Sequence, residues 1–425
     1  MDTRILIVGT TPYDPAAASR AFDSYFHGRE PRNLAQIFSN PHIPQKGHCG
    51  RLYQITDRQL LKRWFLPGTT VGRPLLREEL EAGKAEMSSV IQTLYALGSH
   101  KTPLVYLLRG LLWRKKFWRT PELDRWLEEF QPQCVFLSFS DDYFIPQIAL
   151  YAAEKFRIPI LSSIGDDYYF NRRFSLSPLY HLYRGTYRAL IRRVFAHGGS
   201  AIYIDDKIRD KYNAAFGLKG QSVHLASEQP RRAFRPIPAQ PAIRYFGNLR
   251  LGRNHTLAAI AGALEKAAPG CRVDIYSNEQ ERAVLSVLKH CPNVRFHGAV
   301  PYAQVQQLTA ETDILLLAEG FRRRDVDAVR YSLSTKTGDA IASGAALFAC
   351  GHRDCGAMEY LAKTGCATVC TELPELETRL RQLLSDEARQ RRQYDAATEL
   401  LTRRHRLEHS TEIFRQAVKE TAHGI

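Results

Sequence analysis

The feature that most constrains the fold is a pattern that occurs twice along the chain. Short apolar runs, such as 4–8 and 135–139, alternate with longer amphipathic runs, and the alternation restarts at 243–246 after a proline-rich segment. Short apolar runs bounded by turns predict buried parallel strands, and the longer runs predict the helices that connect them. The sequence therefore predicts an α/β protein with two Rossmann-like, doubly wound domains.

The proline-rich segment 228–241 divides the two series. It carries four prolines and three arginines, a composition typical of a linker. We therefore predict a first domain over 1–227, a linker over 228–241, a second domain over 242–400 and a terminal helical segment over 401–425.

The charge of the chain limits its partners. Its 425 residues include 59 Lys and Arg against 44 Asp and Glu, a formal net charge of +15. This excess favours phosphorylated substrates, an acidic membrane surface or nucleic acid. Because no nucleic-acid-binding signature occurs, we do not expect a nucleic-acid partner. With no eighteen-residue apolar run and no secretory signal, we expect a cytoplasmic protein.

The eight cysteines do not predict a metal site. They are scattered, without a C-x-x-C pair or zinc-like spacing. Cys134, Cys350 and Cys370 lie in strand-like apolar runs, which predicts buried thiols.

The segment 107–119 combines leucines, tryptophans and basic residues. Such a stretch suits a helix that lies in an anionic lipid interface. An alternative is a core-packed helix whose arginines are solvated. The first interpretation predicts peripheral contact with an anionic membrane through 107–119.

Acidic residues follow two predicted strands of the first series. They are Asp141, Asp142, Asp166 and Asp167. In parallel sheets ligands bind at the carboxyl ends of the strands, so each of the four is a candidate catalytic base. The alternative is that each aspartate caps the next helix. Another loop at a strand end, which consists of Gly9, Thr10 and Thr11, follows the first strand.

The stretch 331–351 predicts a short helix that begins near Ser334 or Thr335, ends at Gly344 and leads into a strand. Lys336 and Asp339 would share one face of this helix. A cation at a helix N-terminus suits a phosphate, and a carboxylate one turn further could bind a sugar or ribose diol. An ordinary surface helix with a charge pair is the alternative.

A second glycine-containing loop precedes the helix that restarts the pattern. It contains Gly247, Asn248, Arg250, Gly252 and Arg253. Glycine turns, cations and a helix N-terminus together favour an anion. Two such loops in one predicted domain indicate a pyrophosphate ligand.

Four motifs in the second half carry a family resemblance. They are Y-F-G-N-L-R-L-G-R at 245–253, N-V-R-F-H-G-A-V-P-Y at 293–302, D-I-L-L-L-A-E at 313–319 and S-T-K-T-G-D-A-I-A-S-G at 334–344. In order and spacing they resemble the nucleotide-sugar-dependent glycosyltransferases of the GT-B fold, especially the group 1-like bacterial enzymes that build polysaccharides and lipid-linked glycans. The first half is similar to their acceptor domain more loosely, and this resemblance implies that Gly9, Thr10 and Thr11 form an acceptor-side loop.

The resemblance implies a fold and a set of roles. It implies two Rossmann-like domains facing across a cleft, with the C-terminal helix crossing back onto the first. Asp339 would bind the donor ribose, Lys336 would face the diphosphate, and Arg253 would neutralise diphosphate charge. The implied donor-binding set is Gly247, Asn248, Arg250, Arg253, Ser334, Thr335, Lys336 and Asp339.

The chain departs from the family pattern at several positions. Tyr331 stands where retaining members have a glutamate, and Asn248 stands where an arginine is usual. No histidine follows the strand at 135–139. The stereochemical course therefore stays open.

The expected function is that of a hexosyltransferase-like enzyme. It would move a sugar from a nucleoside-diphosphate sugar to a polysaccharide or lipid-linked acceptor in cell-surface glycan biosynthesis, without a metal or cofactor. We expect it at the inner face of the plasma membrane or free in the cytoplasm. The alternatives are a GT-B sugar-nucleotide epimerase or hydrolase, and a non-catalytic GT-B partner subunit.

Overall fold

The computed structural model describes residues 3–14, 21–44, 47–76, 102–142, 144–171 and 175–423. Within them the chain forms two compact units. The first contains 25–223 and the described residues of 1–17 and 411–425, and the second contains 224–410 and the described residues of 18–24.

The first unit is built on a sheet whose strands, among the described residues, have the order β4-β3-β2-β1-β5-β6-β7-β8. All neighbouring pairs are parallel except β3 and β4. The strands are β1 Ile5–Gly9, β2 Leu34–Phe38, β3 Arg51–Gln54, β4 Arg73–Pro74, β5 Cys134–Ser138, β6 Ile160–Ile164, β7 Gly199–Tyr203 and β8 Gln221–Ser222. Every residue of β1 and β2 is buried, as expected for parallel strands covered by helices on both faces.

Helices cover this sheet. They are α1 Ala21–Phe26, α2 Asp57–Phe65, α3 Pro103–Leu112, α4 Lys115–Trp118, α5 Pro121–Phe130, α6 Ile145–Phe156, α7 Pro178–His197 and α8 Asp206–Phe216. Local sequence explains their ends. Thr56 and Gln59 form a reciprocal capping box at the start of α2, and Arg157 ends α6 in the left-handed conformation.

The second unit contains a sheet with the order β11-β10-β9-β12-β13-β14 among the described residues, parallel throughout. The strands are β9 Ile243–Phe246, β10 Val273–Tyr276, β11 Val294–Gly298, β12 Ile314–Ala318, β13 Ala346–Cys350 and β14 Thr368–Cys370. The predicted α/β class and its parallel sheets are confirmed.

Helices again alternate with these strands. They are α9 Arg253–Ala267, α10 Arg282–Lys289, α11 Tyr302–Ala310, α12 Arg323–Val329, α13 Lys336–Ser343, α14 Gly356–Thr364, α15 Leu376–Ser385, α16 Glu387–Leu400 and α17 Leu407–His423. The core lies between the sheet and helices such as α9 and α15, where Leu257, Ile260 and Leu380 are buried. The helix predicted near Ser334 is α13, and Gly344 ends it with a φ of 77°.

Specific contacts hold the proline-rich segment and the C-terminal helix in place. Within the second unit, Arg231 of the proline-rich segment donates to the carbonyl of Ile341 at 2.7 Å, and Arg232 forms an ion pair with Asp313. At the other end of the chain, Phe414 of α17 is buried in the first unit, 4.9 Å from the ring of Phe26.

The segment 107–119 differs from the lipid-interface prediction in one respect. Trp113 and Trp118 are fully buried, so the prediction that these rings lie in a lipid interface is wrong. Trp113 stacks on Phe144 at 3.8 Å and its indole Nε1 donates to Asp57. A tryptophan whose N–H finds a buried partner gains more from the core than from an interface.

Two further features bear on the sequence predictions. Cys134, Cys350 and Cys370 are buried, as predicted. In the part of the chain that the structure describes, no helix has the length and apolar character needed to cross a bilayer, and no cluster of His, Cys, Asp and Glu could hold a metal ion.

Candidate functional site

A cavity of about 510 Å³ lies in the second unit, at the carboxyl ends of β9, β10 and β11. This is the edge of a parallel sheet at which ligands bind in open α/β folds. Its polar lining comes from Asn248, Ser277, Asn278, Tyr302, Thr335, Lys336 and Asp339, and its apolar lining includes Leu225, Ala226, Phe246, Tyr276, Val300 and Val305.

Gly247 and Lys336 meet in this cavity, although 89 positions separate them in the sequence. A Cβ atom at Gly247 would lie 3.1 Å from Lys336 Nζ and 2.8 Å from the hydroxyl of Tyr245. A side chain at position 247 would therefore displace the Lys336 ammonium group, the Tyr245 hydroxyl or the loop itself. The Tyr245 hydroxyl donates to the carbonyl of Asn248 at 2.7 Å, which fixes the loop. The two loops predicted to bind an anion therefore converge on one cavity.

The surroundings of the Lys336 ammonium group favour a bound anion. Although much of the side chain is exposed, the protein around its end lowers the pKa by desolvation, and the nearby Arg253 lowers it further. Asp339 and Glu319 offset part of this effect. A cation at the start of α13, beside another cation, gains from a bound anion because both penalties are relieved.

Arg253 lies outside the cavity lining. Its guanidinium binds Glu319 in a bidentate ion pair, with distances of 2.9 and 3.1 Å. Glu319 is only 5% exposed; burial raises its pKa, and Arg253 partly counteracts this. Arg253 thus acts on the cavity through its charge near Lys336.

Arg250 and Ser334 also lie outside the cavity lining. Arg250 forms ion pairs with Glu279 and Glu281 at 2.8 and 3.1 Å. The hydroxyl of Ser334 accepts a long hydrogen bond from the backbone N–H of Lys336. Among the described residues, Lys336 is therefore the one predicted donor-site cation that lines the cavity. The glutamate partners lie on other elements, so sequence spacing gave no signal of them.

Asp339 occupies the next turn of α13 and lines the same cavity. Its Oδ1 accepts a hydrogen bond of 2.5 Å from the hydroxyl of Ser227, and Tyr302 donates to Oδ2 at 3.5 Å. The sequence did not single out Ser227 or Tyr302. The tyrosine stood inside a family motif at 293–302, which could have indicated it; Ser227 had no such signal.

His405 fixes one wall of the cavity. It ends a π-helical turn, Leu401–His405, and its Nδ1 donates to the carbonyl of Leu225 at 2.9 Å. Since a carbonyl only accepts, Nδ1 carries the proton and Nε2 accepts from the hydroxyl of Tyr360 at 2.8 Å. Burial lowers the pKa of His405 to about 4, so the ring is neutral near pH 7. This histidine was not predicted from the sequence.

An aromatic ladder forms another wall. Phe246 and Tyr276 stack at 5.0 Å, and Tyr276 stacks on His297 at 4.6 Å with nearly parallel planes. Asp274 bonds to the Nε2 of His297 at 2.7 Å and orients its ring. The two rings that line the cavity, Phe246 and Tyr276, present apolar faces to a ligand.

In the first unit, the four predicted carboxylates divide into two kinds. Asp167 accepts from the backbone N–H groups of Tyr169 and Phe170 and from the Tyr212 hydroxyl at 3.0 Å. Asp142 is half-buried and paired with Arg109. Burial raises the pKa of both Asp142 and Asp167. Asp167 is thus a turn-stabilising residue, and Asp142 belongs to an ion pair.

Asp141 and Asp166 are the exposed members of the same set. They follow β5 and β6, which are neighbouring parallel strands. Both carboxylates raise the pKa of Tyr168, after the larger effect of its burial. The hydroxyl of Tyr183 donates to the backbone carbonyl of Asp141 at 3.1 Å and fixes the chain there. These two carboxylates are exposed at the carboxyl ends of the two strands.

The predicted acceptor-side loop follows β1. A Cβ atom at Gly9 would lie 3.1 Å from the Cβ of Ser138, so β1 and β5 pass closely there. The carbonyl of Thr10 accepts from the N–H of Asn40, and that of Thr11 accepts from Gln36. The loop is thereby fixed at the carboxyl end of the strand.

Comparison with known proteins extends these observations. Residues 253–416 match the family model described as glycosyl transferase-like. No curated protein sequence matches the chain.

Solved structures match the whole chain. HepE from Anabaena, in complex with UDP, is 12% identical with a TM-score of 0.59, and the match covers 100% of both chains. Sucrose-phosphate synthase from Thermosynechococcus elongatus is 11% identical with a TM-score of 0.58, covering 99% of this chain and 100% of that one. WaaG, a glycosyltransferase involved in lipopolysaccharide biosynthesis, is 12% identical with a TM-score of 0.54, covering 97% and 99%.

At such low identity the structural likeness establishes the fold, and the two parallel sheets define its class: this is a GT-B protein. Residues 253–416 match the glycosyl transferase-like family model, which supports the predicted class of enzyme.

Proposed function

We propose that the protein transfers a sugar from a nucleoside-diphosphate sugar to a glycan or lipid-linked acceptor in cell-surface glycan biosynthesis, without a metal ion or cofactor. The observation that supports it most is the position of Lys336 Nζ, which lies against the backbone of Gly247 inside the cavity of the second unit. A diphosphate is the anion that fits an ammonium group, a helix N-terminus and a glycine loop together.

The chemistry follows from where charge develops. An acceptor hydroxyl oxygen forms a bond to the anomeric carbon, while the bond from that carbon to the diphosphate oxygen breaks. The bonding electrons leave with the diphosphate, whose negative charge rises. Lys336 and the N-terminus of α13 are preorganised to stabilise that charge, an effect of about 3 kcal/mol for one well-placed group. Arg253, held by Glu319, supports the same potential from outside the cavity lining.

Asp339 is proposed to bind the ribose. One oxygen is held by Ser227 at 2.5 Å, which fixes the carboxylate. A ribose hydroxyl would donate to the carboxylate beside Tyr302. The base would lie against the faces of Phe246 and Tyr276, with Ser277 and Asn278 within the same lining. Since HepE was solved with UDP, uridine nucleotides are the first to test.

The acceptor hydroxyl must also lose its proton. We assign this role to Asp141 or Asp166, because both are exposed and follow the neighbouring parallel strands β5 and β6. Transfer of the proton to a positioned carboxylate contributes about 10²- to 10⁴-fold in rate. A peripheral position at an anionic membrane is part of the proposal and would suit a lipid-linked acceptor.

A thermal-shift series with UDP, GDP, ADP and their sugars tests the donor assignment. A ligand that binds only the native state raises the free energy of unfolding, by about 2.7 kcal/mol at 100 times its Kd, and the melting temperature rises with it. We expect one nucleoside diphosphate to do so for the natural protein and to do so much less for Lys336→Ala. Arg250→Ala is the matched control, because it removes a cation of the same loop region outside the cavity lining. No shift with any nucleotide, or an equal shift in Lys336→Ala, would overturn the proposal.

A further inference from the structure

Helix α3 carries an exposed apolar stripe. Leu104, Leu108 and Leu111 follow one another at helical spacing, and Leu108 is 54% exposed. Residues at positions i, i+4 and i+7 lie on one face. A single exposed leucine needs no explanation, whereas a whole helical face does.

The two helices that pack against α3 continue this face. On α2, Leu61 and Trp64 are exposed, and Phe65 is exposed to 76%. On α7, Leu179 and Leu182 are exposed, one turn apart. We call the outward sides of α2, α3 and α7 the apolar face. Its members are Leu61, Trp64, Phe65, Leu66, Leu104, Leu108, Leu111, Leu179 and Leu182.

Contacts on the inner side of α3 hold these helices together. On the inner side of α3, Tyr106 stacks on Tyr183 of α7 at 4.7 Å. Arg109 of α3 is paired with Asp57 of α2 at 3.1 Å. Separate inner contacts thus hold the three helices together, and the outer leucines remain turned to solvent.

Basic residues predominate in the helices that carry the apolar face. The stretches 57–66, 103–119 and 178–197 contain twelve Lys and Arg residues and a single acidic residue, Asp57. That aspartate is already bound by Arg109 and Trp113. Arg109, Arg119 and Arg193 are in ion pairs with carboxylates. Lys62, Arg114 and Lys116 are exposed. A surface that combines apolar side chains with exposed cations is complementary to an anionic lipid bilayer.

We infer that the apolar face docks the protein on an anionic membrane surface, with the leucines, Trp64 and Phe65 in the interface and the lysines and arginines at the headgroups. A second copy of this chain is a poorer occupant, because a symmetric contact would bring the same cations against one another. Burial of the apolar side chains and attraction between the cations and anionic lipids together strengthen membrane binding.

This surface is continuous with the acceptor side of the first unit. Arg109, on the inner side of α3, binds Asp142, and Tyr183 of α7 holds the backbone of Asp141. Docking would therefore place the ends of β5 and β6 near the bilayer. This step rests on the proposed function and narrows it, since the acceptor would then be a lipid-linked glycan.

Vesicle co-sedimentation tests the inference. The natural protein is mixed with vesicles of phosphatidylcholine alone or with about a third phosphatidylglycerol. We expect binding to the anionic vesicles that is weakened by salt, and little binding to the neutral ones.

Matched variants identify the surface. Leu104→Ser/Leu108→Ser removes two members of the apolar face, and its control is Phe296→Ser/Leu373→Ser, which removes two exposed apolar side chains of the second unit. Lys62→Glu/Lys116→Glu reverses two charges, and its control is Lys266→Glu/Lys289→Glu. We expect each face variant to lose anionic-vesicle binding by about tenfold or more, and each control to retain it.

Several outcomes would overturn the inference. They are no binding to anionic vesicles, an equal loss in variants and controls, and self-association in solution that Leu104→Ser/Leu108→Ser abolishes. A nucleotide thermal shift measured on the same variants keeps the two proposals apart. A normal nucleotide shift without vesicle binding would contradict the docking surface and leave the donor assignment intact. Vesicle binding without any nucleotide shift would contradict the donor assignment and leave the docking surface intact.

Discussion

The two units use similar strand-end sequences in different ways. In the second unit, polar residues after the strands surround a cavity of about 510 Å³, and Gly247, Lys336 and Asp339 converge there from separate loops. In the first unit, the acidic pairs after β5 and β6 are split: one member of each is tied into the fold and the other is exposed.

This difference shows how a strand end acquires a function. A diphosphate pocket needs cations and backbone groups fixed before the ligand arrives, so its residues are crowded and partly desolvated. A base for an incoming hydroxyl must stay accessible. Asp141 and Asp166 are the exposed members of the set, and we propose one of them as that base. The experiments below test this division, from the largest expected effect to the smallest.

The largest effect is expected for the exposed carboxylates. Asp141→Asn/Asp166→Asn should lower kcat by at least about 100-fold, because no base then accepts the proton of the acceptor hydroxyl. The measurement is release of the nucleoside diphosphate in the presence of acceptor, and the single variants show which carboxylate acts.

Asp167→Ala is the matched control for that experiment. It removes an acceptor for two N–H groups and one hydroxyl, so we expect a loss of about 2 kcal/mol in the free energy of unfolding and an unchanged kcat for the folded protein. Full turnover in the double variant would contradict the division of the carboxylates into two kinds.

Removing the cation of the cavity comes next. Lys336→Ala should lower kcat/KM by about 100-fold, since one preorganised group at the leaving diphosphate supplies about 3 kcal/mol. Steady-state kinetics with the donor identified by thermal shift would measure it. Arg250→Ala, whose partner is Glu279, should change kcat/KM less than twofold, and similar losses in both would mean that the cavity does not bind the diphosphate.

His405, which supports the cavity wall, should make the stability of the second unit depend on pH. The folded pKa of His405 is about 4 and its ordinary value is 6.5. Below pH 6.5 the imidazole of His405 is protonated in the unfolded chain but stays neutral in the folded protein. The free energy of unfolding therefore decreases as the pH falls from 7 towards 4. The loss amounts to up to about 3 kcal/mol at 1.36 kcal/mol per unit.

Urea unfolding of the natural protein and of His405→Gln at pH 7.0, 6.0 and 5.0 would check this. The difference in free energy of unfolding between the two proteins should shrink as the pH falls. A difference that stays constant across this range would mean that the ring is not buried as a neutral group.

The smallest effect concerns the glycine loop. Gly247→Ala places a Cβ atom 2.8 Å from the Tyr245 hydroxyl and 3.1 Å from Lys336 Nζ, so the loop or the lysine must shift. We expect nucleotide affinity to fall by about tenfold, equivalent to about 1.4 kcal/mol, as measured by calorimetry. Gly262→Ala in α9, where a Cβ meets nothing within 4 Å, should leave affinity unchanged and stabilise the protein by about 0.5–1 kcal/mol.

Much of the fold could be predicted from local pattern. The runs at 4–8 and 243–246 appear as β1 and β9, and the helix expected near Ser334 appears as α13, ended by Gly344. These elements follow from apolar periodicity and from turn residues, which act over a few neighbouring positions. The membrane interpretation of 107–119 shows the limit, because periodicity assigned a helix but could not tell that Trp113 and Trp118 turn inward.

The sequence by itself determined the parallel α/β class, the glycine loops and the identity of Lys336 and Asp339 as donor-site candidates. Only the tertiary structure decided which cations line the cavity, because Glu319 and Glu279 hold Arg253 and Arg250 in ion pairs from distant positions. It also decided which aspartates are committed and that His405 supports the wall. Propensity and periodicity depend on near neighbours, whereas ion pairing and burial depend on whatever the fold brings within a few ångströms.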